Sequence, residues 1–342
     1  MSSVQDSILY IAEISGNHLG SLDRAKELVR SAANSGATAI KFQTYTANTM
    51  TLNLDSFNVS ENHKLWGGKK LYDLYEEAHT PWEWHNELFK LCRSLNVIPF
   101  STPFDVSAVE FLESLNAPMY KIASLETGDH LLIKTAAETG KSIIISTGAT
   151  EWPEIEDLVD VIKKTGNKNF TLLLCTSAYP TEPKDVNLNR IKLLREKFNC
   201  KIGLSDHTLG IGVNVAAIAL GATVIEKHFT LKRSDGGPDS SFSMEPNEFR
   251  FLVEEGNRAF AALGKHGWHL QDSENESRRL RRSLYIVKNV KKGDKVSSEN
   301  LRAIRPGGGC SPKFLMNLLG KYFLDDYSIG TPMNPKDRKS VV

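Results

Sequence analysis

The sequence predicts an α/β protein: a closed (β/α)8 TIM barrel followed by a small C-terminal unit. Three observations lead there. Eight short apolar runs recur between residues 8 and 225, in strict alternation with helical patterns. Alternating β and α units build a parallel sheet, and eight of them over roughly 250 residues suit closure into a barrel. Composition then changes near residue 264, and the C-terminal segment beyond it reads as short strands and turns. An open doubly wound sheet is the structural alternative. Its dinucleotide-binding form is weakened because no G-x-G-x-x-G follows the first strand.

Taken in order, Ile8-Leu9-Tyr10-Ile11-Ala12 reads as a buried strand. Ser21 is a plausible N-cap for a helix carrying Leu22, Ala25, Leu28, Val29 and Ala32 at helical spacing, and Gly36 ends it. Ala39-Ile40-Lys41-Phe42-Gln43 is the second strand. Thr46 to Thr80 is the one long interruption; rich in aromatic and polar residues, it reads as a functional loop over the barrel mouth. Further strands begin at Val97, Met119, Ile143, Leu172, Ile202 and Thr223. Between them lie helices such as the one carrying Ile155, Leu158, Val159 and Ile162, stopped by Gly166. Residues 1–264 therefore read as the barrel. Lys265 to Arg282, ending in Ser277-Arg278-Arg279-Leu280-Arg281-Arg282, reads as a linker, with a basic surface patch as the alternative. Residues 283–342 are too few to bury much core by themselves, so packing against the barrel or a partner subunit is expected.

The 342 residues carry 42 Lys and Arg against 41 Asp and Glu, a net charge of +1 that offers no field for nucleic acid or an acidic membrane. No apolar run reaches the ~18 residues of a membrane span. Met1 to Asp6 shows no basic region ahead of an apolar stretch, so no secretory signal is visible. Cys92, Cys175, Cys200 and Cys310 lie far apart without a C-x-x-C pair, as in a cytoplasmic protein with reduced thiols.

The informative pattern is where the apolar strands stop. A strand buried on both faces is nearly all apolar, and a charge there costs several kcal/mol unless paired. Yet polar residues stand at the C-terminal end of nearly every strand: Glu13; Lys41 and Gln43; Ser101 and Thr102; Lys121 and Ser124; Ser146 and Thr147; Thr176 and Ser177; Ser205, Asp206 and His207; Glu226 and His228. In a barrel those ends converge on the face that carries active sites. The competing reading makes each one a cap or a helix start. Lys41 and Lys121, with nearby hydroxyls and backbone N–H groups, describe a pocket for a phosphate- or carboxylate-bearing polyanion. Schiff-base chemistry is the other use of a buried lysine. His207 and His228 end consecutive strands, and neutral imidazoles there can share a divalent ion with open positions for water and substrate. Alternatively, each is a hydrogen-bonded core histidine. Glu13, on the first strand beside the eighth, could complete the site or act as acid or base. His18, His79 and His85 are less compelling, and Trp82 and Trp84 read as packing.

These residues resemble a known family. Ala12-Glu13-Ile14-Ser15-Gly16-Asn17-His18, Ile40-Lys41-Phe42-Gln43-Thr44, Tyr120-Lys121-Ile122-Ala123-Ser124, Gly203-Leu204-Ser205-Asp206-His207-Thr208, Ile225-Glu226-Lys227-His228-Phe229-Thr230 and Gly237-Pro238-Asp239 are similar to motifs of the sialic acid synthases, in the same order. Residues 283–335 resemble that family's C-terminal antifreeze-like (SAF) domain. Leu65-Trp66-Gly67-Gly68-Lys69-Lys70-Leu71-Tyr72, Thr80-Pro81-Trp82-Glu83-Trp84-His85 and Cys175-Thr176-Ser177-Ala178-Tyr179-Pro180 look most like its pseudaminic acid branch; the N-acetylneuraminate and legionaminic acid branches are the alternatives. The resemblance implies condensation of phosphoenolpyruvate with a 2,4-diacetamido-2,4,6-trideoxy hexose. By motif, Lys41, Thr102, Lys121, Ser124, Ser146 and Ser205 would hold phosphoenolpyruvate. His207 and His228 would bind a divalent metal, Mn2+ or Mg2+. Glu13 would place or deprotonate the attacking water. Gln43, Glu126, Ser177, Tyr179 and Asp239 would line the sugar side, with Arg305 reaching the sugar of a partner subunit in a domain-swapped homodimer. Three departures stand out: Lys232 where the family commonly has Asp, the small-sided Gly307-Gly308-Gly309-Cys310, and the divergent Lys336 to Val342.

Overall fold

A computed structural model describes residues 7–61, 66–265 and 267–334. Leu65, the N-terminal Met1 to Asp6 and the divergent stretch from Lys336 to Val342 lie outside them. The eight apolar runs form eight parallel strands: β1 (Leu9–Glu13), β2 (Ala39–Thr44), β3 (Ile98–Pro103), β4 (Met119–Ile122), β5 (Ser142–Ser146), β6 (Phe170–Cys175), β7 (Lys201–Asp206) and β8 (Val224–His228). They close in sequence order, with β8 paired to β1 in the register Glu13 to His228. The barrel is the expected one; the open sheet is excluded.

The helices surround it: α1 (Leu22–Asn34), α2 (Ala47–Met50), α3 (Leu71–Ala78), α4 (His85–Ser94), α5 (Val106–Ser114), α6 (His130–Glu138), α7 (Trp152–Lys164), α8 (Pro183–Val186), α9 (Arg190–Phe198), α10 (Gly212–Ala219) and α11 (Pro246–Ala262). In α1 the Ser21 side chain accepts the Arg24 N–H, and Ala25, Leu28, Val29 and Ala32 are buried. Gly36, with φ of +92°, turns the chain back toward β2. In α7 the buried set is Ile155, Leu158, Val159 and Ile162. Such stripes face the outside of the strands and make the larger core.

A second apolar cluster fills the barrel itself: Ile11, Ala39, Phe100, Met119, Ile144, Leu173 and Val224. Each stands two residues before a polar group: Glu13, Lys41, Thr102, Lys121, Ser146, Cys175 and Glu226. Because side chains alternate along a strand, the same inward face that plugs the barrel becomes polar one step later. Gly203 completes the plug on β7, where a Cβ would come within 2.4 Å of the Val224 carbonyl and 2.6 Å of Leu173. The polar floor thus rests on a packed hydrocarbon layer.

The chain divides into two compact units, residues 1–264 and 265–342. In the second, β9 (Ser283–Ile286) pairs antiparallel with β10 (Leu301–Ile304), Leu284 opposite Ala303. Leu284, Ile286, Val290, Val296, Leu301, Cys310, Leu318, Phe323 and Met333 form its own core. The stretch read as a linker carries a short helix, α12 (Asn275–Arg279), whose last carbonyl accepts the Gly307 N–H at 2.8 Å. Among the described residues no helix is long and apolar enough to cross a membrane.

Candidate active site

The floor of the site is a network of buried charges on adjacent strands. Lys41 and Lys121 are only 5% and 2% exposed, so neither ammonium can rely on solvent. Lys41 Nζ lies 2.8 Å from Glu13 Oε2 and donates to Thr102 Oγ1 at 3.3 Å. Lys121 Nζ donates to Ser146 Oγ at 2.7 Å and to the Ile122 carbonyl at 3.1 Å. Between them sits Glu226, whose Oε1 accepts from Ser205 at 3.0 Å and lies 3.7 and 3.8 Å from the two ammoniums. Its Oε2, also buried, has no hydrogen-bond partner.

Burial and charge compete group by group. Burial pushes Glu13 up to about 7 despite the nearby Lys41 ammonium. Burial acts against the charge on Lys41, but Glu13 and Glu226 together hold it above the usual lysine range. Lys121 is drawn below that range, chiefly by burial. Glu226 is also buried, yet Lys121 and Lys41 outweigh that and keep it ionised. A pocket with two ammoniums and the hydroxyls of Ser124, Ser146 and Ser205 can hold a small polyanion.

The histidines stand beside this floor, their ring centroids 5.4 Å apart. His207 Nδ1 lies 3.1 Å from the Thr176 carbonyl, so that nitrogen carries the proton. His228 Nδ1 lies 3.3 Å from Ser15 Oγ and 3.9 Å from Asp239 Oδ2. Engaging Nδ1 fixes the tautomer and orientation of each ring and, in His228, leaves the other nitrogen for a ligand. Burial and the positive groups around it hold His228 well below the usual imidazole range, hence neutral as ligation requires. His207 is held above that range: its ring N–H donates to the buried Cys175 sulfur, outweighing desolvation. Cys175 is in turn drawn down to about 7, against its own burial, by His207. Among the described residues no group of three or more His, Cys, Asp or Glu is placed to hold a metal ion. A divalent ion here would rest on the two imidazoles and take its other ligands from water and substrate; the donor set fits an open site of that kind once the ion displaces the proton that His207 shares with Cys175.

One cavity of about 390 Å³ joins these groups. Glu13, Lys41, Gln43, Lys121, Ser124, Glu126, Ser146, Tyr179, Ser205, His207, His228 and Asp239 all line it. Gln43 donates to Glu13 at 2.8 Å. Tyr179 stacks edge-on against His207 at 4.6 Å. Burial lifts the Glu126 carboxyl to about 7, and its Oε2 has no hydrogen-bond partner. Thr102 reaches the site through Lys41, and Ser177 stands beside Tyr179; neither lines the cavity. Ser124, Cys175 and Ser177 crowd Gly148, where a Cβ would lie 2.9, 3.0 and 2.3 Å from their side-chain tips. Arg305 belongs to the second unit and does not line the cavity.

His18, His79 and His85 stay outside the cavity, as their sequence context suggests. His85 is fully buried against Thr44 at 2.8 Å, and Trp82 stacks on Phe111 at 4.7 Å. Several cavity residues carry no sequence assignment. Glu226 is recognisable as a polar strand end but its place between the lysines is not, and Cys175 hides in an apolar strand. Tyr45 stands one residue past β2, and Trp66 belongs to the long excursion after it, where no periodicity points inward. Trp66 Nε1 donates to the Pro238 carbonyl at 3.2 Å, holding that excursion against the cavity.

The NeuB family model matches residues 28–267. The chain is 41% identical over 330 residues to the pseudaminic acid synthase of Campylobacter jejuni (strain 81-176), covering 96% of each chain. It is 43% identical over 328 residues to the pseudaminic acid synthase of Helicobacter pylori, again 96% of each. Among solved structures, the N-acetylneuraminic acid synthetase of Leptospira borgpetersenii in complex with citrate superimposes with a TM-score of 0.72 at 32% identity, covering 81% of this chain and 94% of that one. With most of its barrel matched and 96% of its length aligned to curated relatives, the chain belongs to the NeuB family, the family of sialic acid synthases.

Proposed function

We propose that the chain is a pseudaminic acid synthase. It condenses phosphoenolpyruvate with 2,4-diacetamido-2,4,6-trideoxy-L-altrose and water, giving pseudaminic acid and phosphate. The observation that carries the reading is the meeting of two buried ammonium groups and two imidazoles on one cavity. The names of the relatives choose the sugar.

Lys41, Lys121, Ser124, Ser146 and Ser205, with Thr102 steadying Lys41, bind the phosphate and carboxylate of phosphoenolpyruvate. The enol carbon then bonds to the sugar's aldehyde carbon, whose oxygen takes up a proton. Water adds to the carbon bearing the phosphate, and phosphate leaves as the keto group forms. Glu13, poised near neutrality, takes the proton that water gives up. Gln43 holds Glu13 in place. Glu126, Tyr179 and Asp239 orient the sugar, with Ser177 behind Tyr179. His207 and His228 would hold Mn2+ or Mg2+, which supplies a Lewis acid for the aldehyde oxygen when bound. The second unit is of the antifreeze-like kind and works in a domain-swapped homodimer, Arg305 contacting sugar in the partner subunit. Free, unpaired cysteines throughout suit a cytoplasmic enzyme.

Phosphate release tests this. The protein, stripped with chelator and reloaded with Mn2+, is expected to release phosphate from phosphoenolpyruvate with the trideoxy diacetamido sugar, and His207→Ala or His228→Ala to abolish release without unfolding. Turnover with N-acetylmannosamine or the legionaminic acid precursor alone overturns the sugar. Borohydride trapping of Lys121 with pyruvate, with chelator harmless, replaces the mechanism by a Schiff-base aldolase. Sugar binding without any release leaves a carbohydrate-binding barrel.

A further inference from the structure

One wall of the cavity has an outer end with no part in the proposed chemistry. Along β2 and just beyond it, Lys41, Gln43 and Tyr45 all face the cavity, each two residues further out. At about 3.3 Å per residue, Tyr45 stands roughly 13 Å beyond Lys41. Polarity changes along that path. At the outer end Tyr45 packs edge-on against Tyr75 of α3 at 5.8 Å and against Phe104 at 5.1 Å. The excursion after β2 adds Met50, Val59, Leu71 and Leu74 to the same wall. Leu74 is the buried residue of α3, and none of these four side chains can form a hydrogen bond of ordinary strength.

A nine-carbon product with its acid end among the lysines is long enough to bring its far carbon to that outer end. This carbon is C6 of the incoming sugar. In a 6-deoxy sugar it is a methyl; in an ordinary hexose it carries a hydroxyl that loses water on entering an apolar wall. We propose that Met50, Val59, Leu71 and Leu74 are the specificity element for the sugar, seating a C6 methyl and disfavouring a C6 hydroxyl. The proposal rests on the condensation reading. An apolar wall rejects an added hydroxyl only moderately, so discrimination is on the order of 10- to 100-fold.

The test compares kcat/KM for two matched 2,4-diacetamido hexoses, one 6-deoxy and one bearing the 6-hydroxyl, with phosphoenolpyruvate saturating. The parent protein is expected to favour the 6-deoxy sugar by that margin. Val59→Thr and Leu71→Gln, both partly exposed positions that tolerate polarity, are expected to narrow the ratio several-fold with KM for phosphoenolpyruvate unchanged. Equal efficiency with both sugars in the parent, or an unaltered ratio in both variants, overturns the wall alone. Release from neither sugar overturns the condensation itself, and the wall with it.

Discussion

Glu126 is a carboxyl whose surroundings oppose its charge. It lines the cavity with one oxygen buried and unpartnered, and burial lifts it from an ordinary 4.5 to about 7. A carboxyl raised in the folded state contributes stability that is complete below the unfolded value near 4.5 and is lost as pH rises through about 7. Glu126→Gln keeps a neutral group of the same shape at every pH. The variant is therefore expected to melt higher than the parent at pH 8, with the two converging toward pH 4.5; thermal melts across that range check it, and parallel curves refute it. Glu13, raised by the same cause, contributes in the same direction. The position of Glu126 is legible from its motif. Its burial is not, because the wall that removes its solvent comes from residues some fifty places earlier, Tyr75 among them.

Between elements, the spacing of β7 and β8 depends on a pair that includes Asp206, which the strand-end reading aimed at the barrel mouth and which instead points outward. Strand alternation points Ser205 and His207 inward and Asp206 outward; likewise Glu226 and His228 inward and Lys227 outward. Asp206 and Lys227 meet behind the barrel wall, 3.0 Å apart, with side chains 1% exposed. Asn214 of α10 and Thr208 also donate to Asp206, at 2.7 and 3.0 Å, and Lys227 donates to the Thr208 carbonyl at 2.5 Å. The ion pair thus ties together the two turns that carry the imidazoles. Lys227→Met strands a buried carboxylate and is expected to cost about 3–5 kcal/mol, whereas Asp206→Asn with Lys227→Met together cost much less. Urea unfolding of the two variants measures this; equal losses would show that the pair is not coupled. Lys227 sits in an apolar strand much as Lys41 and Lys121 do; alternation with Glu226 and His228 turns it outward, and the register of β8 against β7 sets it opposite Asp206.

At the scale of the molecule, each unit holds its own core, and the proposed reaction uses both. Arg305 is exposed on the second unit, away from that unit's core. Arg305→Ala is expected to leave thermal stability within about 0.5 kcal/mol, as exposed substitutions usually do. It should raise KM for the sugar more than KM for phosphoenolpyruvate, the mark of a lost sugar contact. Steady-state kinetics with each substrate varied in turn decides it: equal effects on both would remove Arg305 from the sugar.

The barrel was readable from the amino acids alone because its strands are covered on both faces, which leaves continuous apolar runs that end abruptly in polar residues. The same endings marked Lys41, Lys121, His207 and His228, since a charged or polar group in such a run has few places to go but the mouth of the barrel. Tertiary structure alone decided that Glu226 lies between two lysines and that Cys175 touches His207. It alone decided, too, that the excursion after β2 supplies an apolar roof. Those facts depend on which strands are neighbours and on where an aperiodic segment comes to rest. Local residue patterns encode the direction of a side chain within its own element, but not the identity of the group it meets across the barrel.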